Sequence, residues 1–333
     1  MPCNKINRSI TIKIQHLKTL VELTQNNFHV SDTAKKLHSS QPAISKHIKL
    51  LEEELGVQLF NRSGKSLMSL TPLGKKVHNI AKDICKNLTD IEFIVAQEIQ
   101  PKIGVLNVAT NHTQLKYILP DVILQFTKKF PNVTINFLQG TPQQLSDWLH
   151  NDQCDFAIIT ENTFLHESTL TFPCYKWHHS IILPSNHELT KLSSISLEHI
   201  SKYPLITYNF GFNDTSILER SFFEQKLIPN IILTAGDTDI IKTYVKNGLG
   251  IGIIADMAYN SDRGLMKICG KNLFPFSTTK IAIKKSSFVK DFTFYFIELF
   301  NSKLNKNLVQ KLIYTGNQSD IDSMFDNRTL DVK

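Results

Sequence analysis

The stretch SSQPAISKHIKLLEEELG, from Ser39 to Gly56, leaves the chain few conformational choices. Ser39 or Ser40 can cap a helix start, and Pro42 suits a first turn whose backbone N–H would have no partner. Gly56 suits a left-handed residue at the other end. Between them Ile44, Ile48, Leu51 and Leu55 recur at spacings of 4, 3 and 4, which draws one apolar stripe along a helix. The opposite surface carries Gln41, Ser45 and Lys49, again four apart, with Lys46 beside them. Amides, hydroxyls and ammonium groups on one helix face are what base edges and phosphates require.

The flanks extend this reading. Val30, Ala34 and Leu37 form a short stripe behind Ser31-Asp32, expected to cap a preceding helix. The link through Leu37 to Ser40 has the length of the turn in a helix-turn-helix, whose second helix enters the major groove. After Gly56, two short extended runs flank Ser63-Gly64, a turn signal, and so predict a wing carrying Arg62 and Lys65. The expected DNA contacts are therefore Ser40, Gln41, Ser45, Lys46, Lys49, Arg62 and Lys65. Three ordinary helices with a solvated face would be the plainer alternative. The order of helix, turn, helix and basic wing favours DNA.

Charge placement agrees. The chain of 333 residues has a formal net charge of +7, and residues 1–75 carry eleven Lys and Arg against five Asp and Glu. Nearly the whole excess lies where phosphate neutralisation would need it. Five scattered cysteines show neither a C-x-x-C pair nor a metal-like spacing with histidine, which suits thiols in a reducing compartment. No leader-like or membrane-spanning apolar run is legible, so a cytoplasmic protein with no membrane partner is expected.

Taken in order, Ile14, Leu17, Leu20 and Val21 predict a first helix packed on the helix-turn-helix. Thr71-Pro72 opens a long helix whose Val77, Ile80, Ile84, Leu88, Ile91 and Ile94 form a near-heptad seam for pairing with a second copy. From Gly104 strands and helices alternate, which predicts an α/β unit. Strands are expected at Val105–Ala109, Val133–Leu138, Phe156–Thr160, Ser180–Leu183, Leu205–Tyr208, Ile231–Thr234, Gly250–Ile254 and Thr279–Ile283. Helices are expected at Gln114–Phe130, Pro142–His150, Ile217–Lys226, Ile240–Asn247 and Phe292–Phe300. The boundaries drawn are a DNA-binding domain over 1–70, a linker and dimerisation helix over 71–100, an effector-binding domain over 101–304 and a tail over 305–333. Crossovers near Phe172-Pro173 and Phe274–Thr278 divide the effector domain into lobe I (104–172 and 278–304) and lobe II (173–277). The tail, with only short apolar pairs such as Leu312-Ile313 and Met324-Phe325, is expected to dock or stay mobile.

The run SQPAISKHIKLLEEELGVQLFNRSGKSLMSLTPLGKKV resembles the DNA-binding segment of LysR-type transcriptional regulators. VATNHTQLKYILPDVI, FAIITE, PCYKWHHSIIL, YPLITYNFGF, TDIIKTYVKNGLGIGIIADMA, FSTTKIAI and SDIDSMF resemble the branch of that family formed by the cysteine-regulon activator and its sulfur-starvation relatives. The resemblance implies a winged helix-turn-helix, a long linker helix and a two-lobed effector domain with the fold of periplasmic binding proteins. It also implies a homodimer or homotetramer on promoter DNA, and activation of sulfur-assimilation genes in response to a small anionic effector, sulfate-like or an O- or N-acetylserine. RNA polymerase is the further partner an activator requires.

An effector site is expected between the lobes, where strand ends meet helix N-termini. Thr110 to Gln114 lies at one such junction, where backbone N–H groups favour an anion without Lys or Arg. Asn111, Thr113, Gln114, Thr160 and Asn213 are the expected ligands; the resemblance places pocket hydroxyls at several of these positions. Asn111 and Asn213 stand where the similar proteins carry threonine, which leaves the effector's identity open. Each hydroxyl also has a plainer reading as a helix cap.

Gly248-Leu249-Gly250-Ile251-Gly252 follows a helix and precedes a strand, the reverse of a dinucleotide fingerprint. His178-His179 lacks helical ligand spacing and a carboxylate partner, and is read as surface or core. No catalytic nucleophile, cofactor motif or metal cluster is legible, so no enzyme, no cofactor and no metal are expected. The competing readings are a LysR-type regulator of another small-anion pathway and a small-molecule-binding module with a DNA anchor.

Overall fold

A computed structural model describes residues 11–64, 66–99, 103–160, 165–209, 217–261, 263–285, 287–325 and 330–333. The chain forms two compact units, Met1–Pro101 and Lys102–Lys333.

In the first unit α1 (Ile14–Gln25), α2 (Val30–Lys36) and α3 (Gln41–Leu55) precede a hairpin of β1 (Phe60–Ser63) and β2 (Ser66–Leu70), then the long α4 (Pro72–Ile99). Ser40 caps α3, its Oγ accepting from the Ala43 N–H at 3.4 Å, and Gly56 ends the helix at φ +69°. Ile44, Ile48 and Leu51 are buried, and the last two join Leu17, Leu20, Leu23, Leu59, Phe60 and Leu70 in one core. The expected cap of α2 is corrected: the helix starts at Val30, so Ser31 and Asp32 lie inside its first turn, and His29 precedes it without a side-chain cap bond. Asp32 there meets the positive end of the helix dipole instead.

Thr71 caps α4 as its sequence suggests, accepting from the Gly74 N–H at 2.9 Å. The expectation of a single pairing seam is only half met. Val77, Ala81 and Cys85 pack into the unit's own core. Ile80, Ile84, Ile91, Ile94 and Val95 stay exposed on a second stripe.

The second unit holds two five-stranded sheets. Lobe I begins with β3 (Ile103–Thr110), α5 (His112–Tyr117), α6 (Leu119–Lys129), β4 (Asn132–Gln139), α7 (Pro142–His150), β5 (Phe156–Thr160) and β6 (Thr169–Trp177). Lobe II follows with β7 (His179–Pro184), α8 (Leu197–Ile200), β8 (Leu205–Tyr208), α9 (Ile217–Glu224), β9 (Ile231–Ala235), α10 (Thr238–Lys246), β10 (Ile251–Ala255) and β11 (Leu265–Cys269). The chain then returns to lobe I as β12 (Ser277–Lys284) and α11 (Asp291–Phe300), and ends in α12 (Lys306–Thr315) and α13 (Gln318–Met324). The strand orders are β4-β3-β5-β12-β6 and β11-β7-β10-β8-β9.

Several expectations change here. The helix predicted over Gln114–Phe130 is two helices, α5 and α6, broken at Ile118; Pro120 then takes a first-turn position in α6, where its missing N–H costs nothing. The lobe boundary at residues 172 and 173 is also wrong. Phe172 and Pro173 sit in the middle of β6, paired with Ile281 and Lys280 of β12, and the chain leaves lobe I only after Trp177. Strand β6 has no alternating signature because it is buried on nearly every residue.

The described part of the tail docks. Val309, Leu312, Ile313 and Ile321 are buried, and the Gln318 amide accepts from the Thr171 N–H at 2.8 Å and donates to the Thr171 carbonyl at 3.0 Å. That closes part of the free edge of β6, as does the bridge from Val332 to Lys176. The Gly-x-Gly-x-Gly run serves packing. Gly248 turns the chain at φ +76°, and a Cβ on Gly250 or Gly252 would lie 2.3 Å from the Pro204 carbonyl oxygen or 2.6 Å from Ile182.

Gly74 yields a test of the first unit. A Cβ there would lie 2.1 Å from the Leu59 carbonyl oxygen, so α4 can seat on the hairpin only through glycine. Gly74→Ala should destabilise that unit by about 1–3 kcal/mol or more, the usual cost of forcing atoms into a packed contact. Both tryptophans, Trp148 and Trp177, lie in the second unit. The urea midpoint read by far-UV circular dichroism should therefore fall while that read by tryptophan fluorescence holds.

Candidate functional site

Along α3 the side chains sort cleanly by burial. Gln41, Ser45, Lys46 and Lys49 are exposed on the helix whose other face fills the core, and Ser40 is exposed at its start. Lys49 makes only an i,i+4 contact with Glu53 at 3.6 Å. Arg62 has a firmer partner. Its guanidinium lies 2.5 Å from Glu52 Oε2, while Glu52 Oε1 accepts the backbone N–H groups of Leu59 and Phe60 at 2.8 and 3.2 Å. Glu52 thus ties α3 to the hairpin, and Arg62 braces it. Lys65 lies outside the described residues. A second tie fixes α3 against α1, where Thr19 Oγ1 and His47 Nδ1 are 3.0 Å apart.

In the second unit a cavity of about 310 Å³ lies between the lobes. Asn111, His112, Gln139, Gly140, Thr141 and Gln144 line it from lobe I, and Asn209, Gly236 and Asp237 from lobe II. These are the carboxyl ends of β3, β4, β8 and β9 and the residues just beyond them, where open α/β sheets leave a crevice. Thr141 and Gln144 form a reciprocal capping box at the start of α7. Asp237 caps α10, its Oδ1 accepting from the N–H groups of Asp239 and Ile240. His112 Nε2 and Asp237 Oδ2 face one another across the cleft at 3.7 Å.

Of the five residues expected to hold an effector, two meet in space. Asn111 lines the cavity, and its Nδ2 lies 3.5 Å from Thr160 Oγ1. Asn111 also caps α5 by accepting the Gln114 N–H at 2.9 Å. Thr113 and Gln114 are buried beneath the cleft and do not line it. The Gln114 amide donates to Thr279 Oγ1 at 3.2 Å and accepts from the Tyr175 hydroxyl. Thr113 hydrogen-bonds Tyr208, whose hydroxyl also meets Thr238 at 2.7 Å and accepts from the Ala255 N–H. Burial pushes the Tyr208 phenol above its usual range, so it stays neutral. Both residues are better described as the floor of the site than as ligands. Asn213 lies outside the described residues.

Gln139, Thr141, Gln144, Asn209 and Asp237 were missed by sequence reasoning. Gln139 ends β4 and the others lie in the segments that follow β4, β8 and β9, so attention to every strand's carboxyl end would have pointed to them. Lys116 of α5 and Asp239 of α10 pair across the lobes, and Tyr117 joins them, its hydroxyl 3.3 Å from Asp239 Oδ1 and from Lys242 Nζ. His112, Asp237 and Asp239 bring ligand-type atoms within 4.8 Å of one another. Lys116 pairs with Asp239, and helix N–H groups engage Asp237 Oδ1.

Family models agree with both units. Residues 14–75 match the bacterial regulatory helix-turn-helix protein of the lysR family, and residues 100–292 match the LysR substrate binding domain. The chain is 39% identical to the transcriptional regulator CysB of Haemophilus influenzae, over 97% of this chain and 100% of that one. It is 38% identical to the regulator SsuR of Burkholderia cenocepacia, over 91% and 99%. The solved cofactor-binding domain of the Cbl transcriptional regulator superposes with a TM-score of 0.61 at 36% identity, covering 64% of this chain and 94% of that one. No helix among the described residues is long and apolar enough to cross a membrane. A third helix with a polar outer face, a two-lobed unit with a cleft at its strand ends, and relatives matched along nearly their full length lead to one conclusion: this chain belongs to the LysR family of helix-turn-helix transcriptional regulators.

Proposed function

We propose that this regulator controls sulfur-assimilation genes, binding promoter DNA through α3 and its wing and a small anionic effector in the interlobe cleft. The observation that carries the DNA half is the sorting of α3: Gln41, Ser45, Lys46 and Lys49 all face outward while Ile44, Ile48 and Leu51 fill the core. Ser40 precedes that face in the chain, and Arg62 and Lys65 complete the expected contacts in sequence. The effector half rests on Asn111, which lines the cleft with Gln139, Thr141 and Gln144, and on Thr160, whose Oγ1 lies 3.5 Å from Asn111 Nδ2. Such groups hold a small anion by oriented hydrogen bonds. Sulfate, or an O- or N-acetylserine, has that chemistry. The relatives CysB and SsuR support the sulfur assignment, and a cleft whose polar lining is amides and a hydroxyl, with His112 and Asp237, supports binding over catalysis. RNA polymerase is the further partner of an activator, and the exposed stripe of α4 supports a homodimer, two of which make a tetramer.

On DNA, Gln41→Ala should relax base preference, because a bidentate base contact is worth about 1–3 kcal/mol of discrimination. Lys46→Ala should weaken operator and scrambled DNA alike and lower the salt slope by about one. Binding curves at several salt concentrations measure both. An unchanged operator-to-scrambled ratio for Gln41→Ala would reject the reading face.

For assembly, Ile84→Glu with Ile91→Glu places charges on the exposed stripe of α4 and leaves Val77 and Ala81 in the core. Sedimentation should show loss of the dimer, and operator affinity should drop with it because the two heads no longer share an effective concentration. A wild-type oligomer in this variant would mean that α4 pairs with nothing.

For the effector, Thr160→Val keeps shape and removes one donor. Loss of a hydrogen bond to a charged group costs about 1.5–3 kcal/mol, roughly ten- to hundredfold in affinity. Calorimetry with sulfate, thiosulfate and the two acetylserines, followed by footprinting, reads affinity and the coupled change on DNA. If none binds the wild type, the sulfur reading fails; if they bind but Thr160→Val responds normally, the pocket lies elsewhere.

A further inference from the structure

Two segments of the chain pass near the lobe crossovers and meet at one end of the lobe II sheet. Strands β7 and β11 pair antiparallel with Cys269 opposite Ser180, and His178 immediately precedes β7. The imidazole Nε2 of His178 lies 3.2 Å from Cys269 Sγ and 3.7 Å from Asp256 Oδ1. That same carboxylate oxygen accepts from Ser180 Oγ at 2.5 Å and from Lys267 Nζ at 2.8 Å. Burial opposes ionisation of Asp256, yet the Lys267 and Ser180 hydrogen bonds, with the charges of Lys267 and His178, hold its carboxyl below the usual range. The ring of His178 packs edge-on against Phe276 at 5.9 Å, and its Nδ1 is buried with no hydrogen-bond partner. Nε2 is thus the one nitrogen of this ring with polar neighbours, and they are a thiol and a carboxylate. Reading His178 as a histidine without a carboxylate partner is corrected by this geometry.

Cys269 differs from the other described cysteines. It is exposed, whereas Cys154 and Cys174 are buried and their thiols are pushed up to about 12 by that burial. Cys85 is half-buried, and burial raises its thiol too. Among the described cysteines, Cys269 alone combines access for a small reagent with an imidazole nitrogen at hydrogen-bond distance and a carboxylate beside that same nitrogen, groups that can take up and stabilise a thiol proton.

We propose that Cys269 is a reactive thiol, activated by His178 and Asp256, that exchanges with low-molecular-weight disulfides to form a mixed disulfide. The thiol proton moves to His178 Nε2, and Asp256 stabilises the imidazolium. The thiolate attacks one sulfur of the small disulfide, forming the new S–S bond as the old one breaks. The leaving thiolate takes the proton back from His178 and departs as a free thiol. Cys269 is oxidised, the departing sulfur is reduced, and the ring is regenerated. With Cys154 and Cys174 buried elsewhere, the product keeps the small thiol attached, and its bulk displaces the sulfur from His178 beside the crossover. The ligand class is a small thiol in its oxidised form, and the site is separate from the interlobe cleft, so the inference stands whatever the effector proves to be.

The test uses the full-length protein and oxidised glutathione as the probe, with peptide mass spectrometry locating adducts over time. At about pH 7, native Cys269 should react roughly tenfold or more faster than the same cysteine in urea-unfolded protein, because only the folded chain holds a base beside the sulfur. His178→Asn and Asp256→Asn should each slow it, His178→Asn toward the unfolded rate, and dithiothreitol should release the adduct. If His178→Asn does not fold, the native-to-unfolded ratio in the wild type decides alone. Equal rates in native and unfolded protein, or adducts confined to Cys85, would overturn the proposal.

Discussion

An amide buried under a binding cleft is stable only when its donor and acceptor are both paired, since an unpaired buried group costs about 1–3 kcal/mol. Gln114 meets that condition through Thr279 of β12 and Tyr175 of β6, the two strands that carry the chain back into lobe I and out of it. These two bonds tie the cleft floor to the strands on either side of the crossover. They hold the first turn of α5 against the sheet, and so hold Asn111 at the cavity wall. Burial keeps the Tyr175 phenol protonated and hence able to donate.

Charge does different work at the cleft mouth. Lys116 and Asp239 are about half exposed, so their pairing is worth little in stability. What it contributes is geometry, because α5 and α10 belong to different lobes and both start at the cavity. Tyr117 is partly buried between them and kept neutral by that burial and by Asp239. Two capped helices, α7 and α10, face the same space with their N–H groups already engaged by Thr141 and Asp237. An effector there would meet amide side chains and His112 more than free helix ends.

In the first unit one carboxylate has a comparable role. Glu52 leaves the reading helix, satisfies two backbone N–H groups at the entry to the hairpin and meets Arg62. The long α4 then divides its apolar residues between the unit's own core and an exposed stripe, which explains why its periodicity looked like a single seam. A helix with 3.6 residues per turn can present two adjacent apolar stripes whose members interleave in the chain.

Local chemistry was legible from the chain alone. The caps at Ser40 and Thr71, the left-handed Gly56, the polar face of α3 and the alternation of strands and helices all follow from side chains acting within a few residues of themselves. Tertiary structure decided everything that depended on distant partners. It assigned β6 to lobe I, because a strand buried on nearly every residue carries no period from which its sheet can be read. It sent Gln114 and Thr113 beneath the cleft, because their partners Tyr175, Thr279 and Tyr208 are far along the chain. It brought Cys269 to His178 and Asp256, a juxtaposition of three separate segments that no spacing in the sequence announces.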